Sequence, residues 1–167
     1  MRIVQLVDFH TQDMGYSDVC LPRALSKLGH EVFVISSTGN VYFNSKHYND
    51  IFKNFHKENI RGTINADGYT LIRLKEYKTP FGLYLIGLYS LLKKIKPDIV
   101  QCGELNSLSA FQAALYNFFL SFKLTIECHI HKSVFQINKN HNKYTKFKKN
   151  LKNIISYLLL RLISYKI

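Results

Sequence analysis

An open parallel β-sheet with helices on both faces, the α/β class, is the fold this sequence predicts, and three observations predict it. The run Ile95-Lys96-Pro97-Asp98-Ile99-Val100 carries a helix end directly into a buried strand. The run Ala24-Leu25-Ser26-Lys27-Leu28-Gly29-His30-Glu31-Val32-Phe33-Val34-Ile35 does the same. The chain also opens on a strand, so the alternation starts at its first residues. Strands alternating with helices pair in parallel, and their carboxyl ends gather on one edge, where open sheets of this kind bind ligands.

Ile3 to Val7 is a nearly unbroken aliphatic run, as expected of a central strand covered on both faces. Asp8 to Gly15 is a polar loop, and Gly15 allows positive φ or a close backbone approach. Ser17 can cap the helix that follows, which should run to about Leu28, with Val19, Ala24, Leu25 and Leu28 as its apolar stripe and Gly29 as its stop. Pro22 lies more than a turn past Ser17 and removes a backbone donor, so a kink, or a start nearer Cys20, is expected.

Val32 to Ile35 is the second strand. The stretch from Ser36 to Asp67 is polar, aromatic and basic, long enough to be functional or to hold small elements such as a helix at Tyr48 to Phe55. Asp67-Gly68 makes a tight turn into Tyr69 to Leu74, an alternating strand nearer the sheet edge. From Phe81 to Lys94, the spacing of Leu85, Leu88, Tyr89, Leu92 and Ile95 predicts one helix, with lysines at its negative end and Pro97 closing it. Ile99 to Gly103 is a short buried strand, Ser107 or Ser109 caps a helix through Phe119, and Leu124 to Cys128 is the last strand. His129 follows that strand at the ligand-facing edge. About residues 139 to 167, Lys- and Asn-rich residues lead into the apolar run Ile154 to Ile163, a basic amphipathic helix that either packs on the domain, meets a membrane surface or meets a partner.

With 167 residues and 47% hydrophobic side chains, the chain supports one full core, hence a single domain over 1–167. The net charge of +12 favours anionic partners such as phosphate, acidic lipid or nucleic acid. The lysines are dispersed, with no helix-turn-helix pattern and no RNA-binding signature, so nucleic acid is not the expected partner. The three cysteines, Cys20, Cys102 and Cys128, show no C-x-x-C spacing, which argues against a disulfide framework or zinc ribbon and fits a reducing cytoplasm. No secretory signal or spanning segment is expected, since the apolar stretches are interrupted well short of the ~20 residues a crossing requires.

Three clusters fall at carboxyl strand ends: Asp8 with His10 and Gly15, Gln101 with Glu104, and Glu127 with His129 and His131. A loop glycine ahead of a helix start suits a diphosphate. Neither a dinucleotide fingerprint nor a P-loop is present. His129 either polarises a ligand hydroxyl or is a satisfied structural histidine. Glu127, His129 and His131 alternate on one strand, which leaves a metal site open, and Asp8, His10 and Glu104 serve equally well as loop-ordering groups or as ligand contacts.

Four segments in order, the first strand, loop glycine and helix ending in Leu28-Gly29-His30-Glu31-Val32, then Asp67 to Leu74, then Lys96-Pro97-Asp98-Ile99-Val100, then a strand ending in His129, resemble the N-terminal domain of the GT-B glycosyltransferases called family 4. The resemblance covers nearly the whole chain. It implies a Rossmann-like domain forming one half of a GT-B architecture, and retaining transfer of a sugar from a nucleotide-sugar donor to a glycan or lipid-linked acceptor. By position, Gly15 would approach the donor phosphates, and His129 would face the transferred sugar as the catalytic group. Glu104, His10 and the loop from Ser36 to Asp67 would border the acceptor. The resemblance implies no bound metal and no further cofactor, and peripheral contact with acidic membrane at the cytoplasmic face. The chain departs from the family pattern in offering a single glycine in the first loop and in carrying Pro22. A second, donor-binding domain has no counterpart in these residues, and positioning a donor without it forfeits many kcal/mol. The chain alone is therefore expected to be inactive or nearly so, the alternative being a non-catalytic Rossmann-like binding or membrane-associated module.

Overall fold

The computed structural model describes residues 1–12, 17–39, 60–105 and 107–127, with positions 154, 157, 158 and 161. The described chain is mixed α/β, with a mostly parallel six-stranded sheet, compatible with a Rossmann-like fold. Strands β1 (Arg2–Leu6), β2 (Glu31–Ser37), β4 (Tyr69–Leu74), β7 (Ile99–Cys102) and β8 (Lys123–Ile126) run parallel, and β3 (Gly62–Ala66) closes one edge antiparallel to β4. The order across the sheet is β3-β4-β2-β1-β7-β8. The first strand is central, as its continuous aliphatic run predicts.

Helix α1 (Ser17–Lys27) begins at Ser17, not near Cys20, and holds Pro22 buried in its interior. A proline there removes the one intrahelical bond that would reach the Asp18 carbonyl, a loss that the burial of Val19 and Pro22 offsets. Its end is a glycine stop: Gly29, at φ 84°, donates to the Ser26 carbonyl at 2.9 Å and His30 to the Leu25 carbonyl at 3.2 Å. Leu25 meets Val32, Val34, Tyr69 and Leu71 on one sheet face.

The single helix expected over Phe81 to Lys94 is two elements. Glu76–Thr79 (β5) and Gly82–Leu85 (β6) form an antiparallel hairpin, and α2 covers only Leu88–Ile95. Gly82 (φ 143°) and Gly87 (φ 86°) hold backbone conformations outside the right-handed helix, so the apolar spacing that runs through Leu85 cannot stay helical. α2 ends at Lys96, whose N–H donates to the Leu92 carbonyl at 2.9 Å, just ahead of Pro97. Helix α3 (Leu108–Leu120) is capped by Ser107, whose hydroxyl accepts from the Ala110 N–H at 3.0 Å. Of the two candidate caps, Ser107 is the one used.

α2 and α3 cover the second sheet face, where Val4, Leu6, Ile35, Val100 and Cys102 pack beneath Leu88, Leu92, Ile95, Ala110 and Ala113. Each fully buried leucine there contributes about 1.5–3 kcal/mol. Helices thus lie on both faces, as expected. The strand predicted to reach Cys128 is described to Ile126, and the proposed helix at Tyr48 to Phe55 lies outside the described residues. Within the tail, positions 154, 157, 158 and 161 are helical, with the Arg161 guanidinium 5.6 Å from the Tyr157 ring centroid.

Candidate functional site

The carboxyl ends of the parallel strands share one edge, and the loops there are tied together by polar contacts. Asp8, two residues after β1, binds in two directions. Its carboxylate accepts from the Ser109 hydroxyl at 2.5 Å, in the first turn of α3, and its carbonyl accepts from the Ser37 hydroxyl at 2.6 Å, at the end of β2. Gly103, after β7, donates to the Leu6 carbonyl at 3.0 Å, and a Cβ there would stand 3.2 Å from the Val7 side chain. Thr38 binds the Glu76 carboxylate through both its N–H (3.1 Å) and its hydroxyl (2.7 Å), joining the β5–β6 hairpin to the end of β2. Three strand ends and the hairpin are therefore one connected rim.

Glu104 sits on that rim with an exposed side chain, while its carbonyl accepts from the Ser107 hydroxyl at 3.1 Å. The cap of α3 thus holds the Glu104 backbone and leaves its carboxylate to solvent. The amide of Gln101 donates to the Glu127 carboxylate, across β7 and the end of β8.

His10 is placed differently. It is fully buried, with Nδ1 3.0 Å from the Asp18 carboxylate and Nε2 3.1 Å from the Tyr69 hydroxyl. A carboxylate only accepts, so Nδ1 donates to Asp18, while Nε2 and the Tyr69 hydroxyl are partners in the second hydrogen bond. Asp18 stands in the first turn of α1, where the helix dipole favours negative charge. The His10 carbonyl accepts from Arg73 Nη1 at 3.1 Å. Contact between the ring and a ligand would require the first loop to move, because both nitrogens are engaged.

Arg73 is 4% exposed, and its buried Nε meets no acceptor among the described residues. Burial lowers its pKa, with Tyr69 opposing, although a guanidinium stays charged at any working pH. Burial likewise raises the Tyr69 hydroxyl, and this effect outweighs the nearby Arg23 charge. The Cys102 thiol is pushed far up by burial, then by Asp8, and is held as the inert thiol.

Of the four predicted site residues, the structure brings His10 and Glu104 to the same end of the sheet, one inside and one outside. Gly15 and His129 lie outside the described residues, as do His131 and the loop from residue 40 to 59. Among the described residues, no group of three His, Cys, Asp or Glu side chains could hold a metal ion. Of the rim residues, Ser37 and Thr38 fall within the loop expected to border the acceptor, though neither was singled out, and Glu76, at the start of β5, was missed because only its position just after a strand signals it. At the opposite, amino edge lies a cleft lined by Met1, Arg2, Gly29, Glu31, Lys96 and Asp98. There Arg2 pairs with Glu31 at 3.0 Å and its N–H with Asp98 at 2.7 Å, so these groups satisfy one another. No protein-family model and no curated protein matches this chain.

Proposed function

We propose that this chain is the acceptor-side half of a GT-B type, family 4-like retaining glycosyltransferase. In this reading the carboxyl rim forms one wall of a crevice, and a donor-binding domain forms the other. The anomeric bond of a nucleotide-sugar breaks, the nucleoside diphosphate leaves, and the anomeric carbon bonds on the face just vacated to an acceptor hydroxyl oxygen, whose proton passes to the departing phosphate. Backbone at Gly15 approaches the donor phosphates, and His129, three residues beyond β8, faces the sugar. Glu104 offers an exposed carboxylate to acceptor hydroxyls. His10 serves this wall from inside, holding the first loop to α1 and β4.

One observation carries the reading: Asp8 joins the ends of β1 and β2 to the start of α3, so that the first loop and the Glu104 loop border one rim. The test is a transfer assay with the protein encoded immediately downstream of this chain, using UDP- and GDP-sugars as donors. Transfer by the pair, reduced at least about a hundredfold by His129→Ala, supports the assignment. A pair that transfers equally well with the variant removes His129 from the chemistry. Acceptor binding without transfer by any pair favours the non-catalytic binding module.

A further inference from the structure

Strand β3 is an open edge of the sheet. It pairs with β4 on one side, in a continuous antiparallel register from Gly62 opposite Arg73 to Ala66 opposite Tyr69, with no bulge. On its other side it meets no strand among the described residues. Gly62, Thr63, Ile64 and Asn65 are all exposed, and Ile64 remains 40% exposed although Leu71, directly opposite it on β4, is fully buried. A row of free backbone donors and acceptors is a template for a further strand, which folded proteins deter with an edge lysine, a proline, a bulge or a cover. Gly62–Ala66 carries no charge and no proline.

The sequence along this edge is complementary to itself. Two antiparallel strands related by a twofold axis perpendicular to the sheet have one residue facing its own copy. With Ile64 on the axis every residue of the strand is paired: Gly62 faces Ala66, Thr63 faces Asn65, and Ile64 faces Ile64. The same register sets Arg61 opposite Asp67 on both sides of the axis. An axis at Thr63 or Asn65 sets Arg61 opposite Asn65 or Tyr69 instead and leaves part of the strand unpaired. Arg61 is exposed and makes no ion pair among the described residues, while Asp67 meets Arg23 Nη2 at 2.7 Å and still has 73% of its side chain exposed. A carboxylate accepts from two guanidinium groups at once, so Asp67 can keep Arg23 and take Arg61 of another copy. The net charge of +12 on each chain opposes association, but at 0.15 M salt its reach is about 8 Å. From Ile60 to Gly68 the charged residues are Arg61 and Asp67, so the contact itself is neutral.

We infer that a second copy of this chain docks on β3, edge to edge and antiparallel about Ile64, joining the two sheets into one continuous sheet. The inference does not depend on glycosyl transfer. A strand of five residues is far smaller than the roughly 20–30 residues a side of a standard interface, so the dimer is weak and reversible.

The test is analytical sedimentation of the full chain from about 10 µM to about 500 µM in about 0.15 M salt, where the mean mass should rise from one chain towards two and no further. Ile64→Cys, with Cys20→Ser and Cys128→Ser, should form an intermolecular disulfide under mild oxidation by copper phenanthroline. Directly opposed residues lie about 4.5–5.5 Å apart at Cα, within reach of a disulfide. Thr63→Cys in the same background should not crosslink, since its two copies would lie about 8–9 Å apart. Arg61→Asp and Asp67→Lys should each weaken the dimer severalfold by setting like charges opposite one another. An equimolar mixture of these two variants should recover it, because the mixed pair has opposite charges at both positions. Melting temperatures show which variants fold, and the cysteine pair decides independently of the charge variants. A one-chain mass at every concentration, crosslinking at Thr63→Cys as fast as at Ile64→Cys, or a mixture of folded charge variants no more associated than its components overturns the inference. Masses that grow past two chains overturn it too, since they assign the edge to open-ended pairing.

Discussion

The Tyr69 hydroxyl stands 3.1 Å from Nε2 of His10, with the two rings edge to face at 88°, so a residue that opens β4 fixes a loop that follows β1. Asp18 completes the contact from α1. A loop, a helix and a strand are thus pinned through one imidazole.

Removing that imidazole leaves a cavity and two polar groups without their partner. His10→Ala should destabilise the chain by about 2–4 kcal/mol, read as a shift in the urea midpoint at constant slope. A loss below about 1 kcal/mol would mean that the loop holds itself.

Tyr69 also sets an alkaline limit. Burial raises its hydroxyl above the ordinary value of 10.0, so between that value and its higher folded value the unfolded chain has lost a proton that the folded chain keeps. Stability is then intact below about pH 10 and falls as pH rises through the folded value. Tyr69→Phe should cost about 1 kcal/mol near neutrality and flatten the decline above pH 10. Denaturant titrations at pH 7 to 11 measure both effects, and parallel curves for the two proteins would assign the decline elsewhere.

Two glycines share a φ of 84° but have different surroundings. A Cβ at Gly29 meets nothing within 4 Å, whereas one at Gly68 stands 2.9 Å from Ser26 Oγ and 3.3 Å from its Cβ. Gly29→Ala should cost about 1 kcal/mol, the penalty of the left-handed backbone alone. Gly68→Ala should cost about 1 kcal/mol more, because it also displaces the Ser26 hydroxyl, which donates to the Gly68 carbonyl. Equal losses in thermal melts would show that the helix yields freely.

Gln112 reaches from α3 to the backbone of β6, accepting from the Leu85 N–H at 2.8 Å and donating to the Leu85 carbonyl at 3.1 Å. Gln112→Leu keeps the volume but orphans both groups, and should cost about 2–4 kcal/mol. Hydrogen exchange at Leu85 should quicken by more than the global loss of stability explains.

The exposed carboxylate of Glu104 makes the opposite case. Glu104→Gln should leave stability within about 0.5 kcal/mol of the parent while weakening acceptor binding severalfold in the reconstituted transfer assay. Unchanged binding removes Glu104 from the acceptor wall.

The parallel core was legible because its strands are short aliphatic runs and its helix ends carry direct signals. Gly29 and Pro97 mark stops, and Ser107 marks a start. The hairpin from Glu76 to Leu85 was not legible, because Leu85, Leu88, Leu92 and Ile95 keep helical spacing across a break that only backbone angles reveal. β3 was missed because Gly62–Ala66 is an exposed edge with no apolar run to announce it. At the rim, residue type pointed to the carboxyl edge, but it could not distinguish a histidine turned inward from a glutamate turned outward.

The strand order has a consequence for how this protein is made. β1 receives its second neighbour only when Ile99–Cys102 has been synthesised, since its partners are β2 on one flank and β7 on the other. Until then the innermost ribbon of the nascent polypeptide has a bare flank, able to pair with any extended stretch it encounters. Emergence from the ribosome is therefore a stage at which the central strand of this chain is open to misassembly.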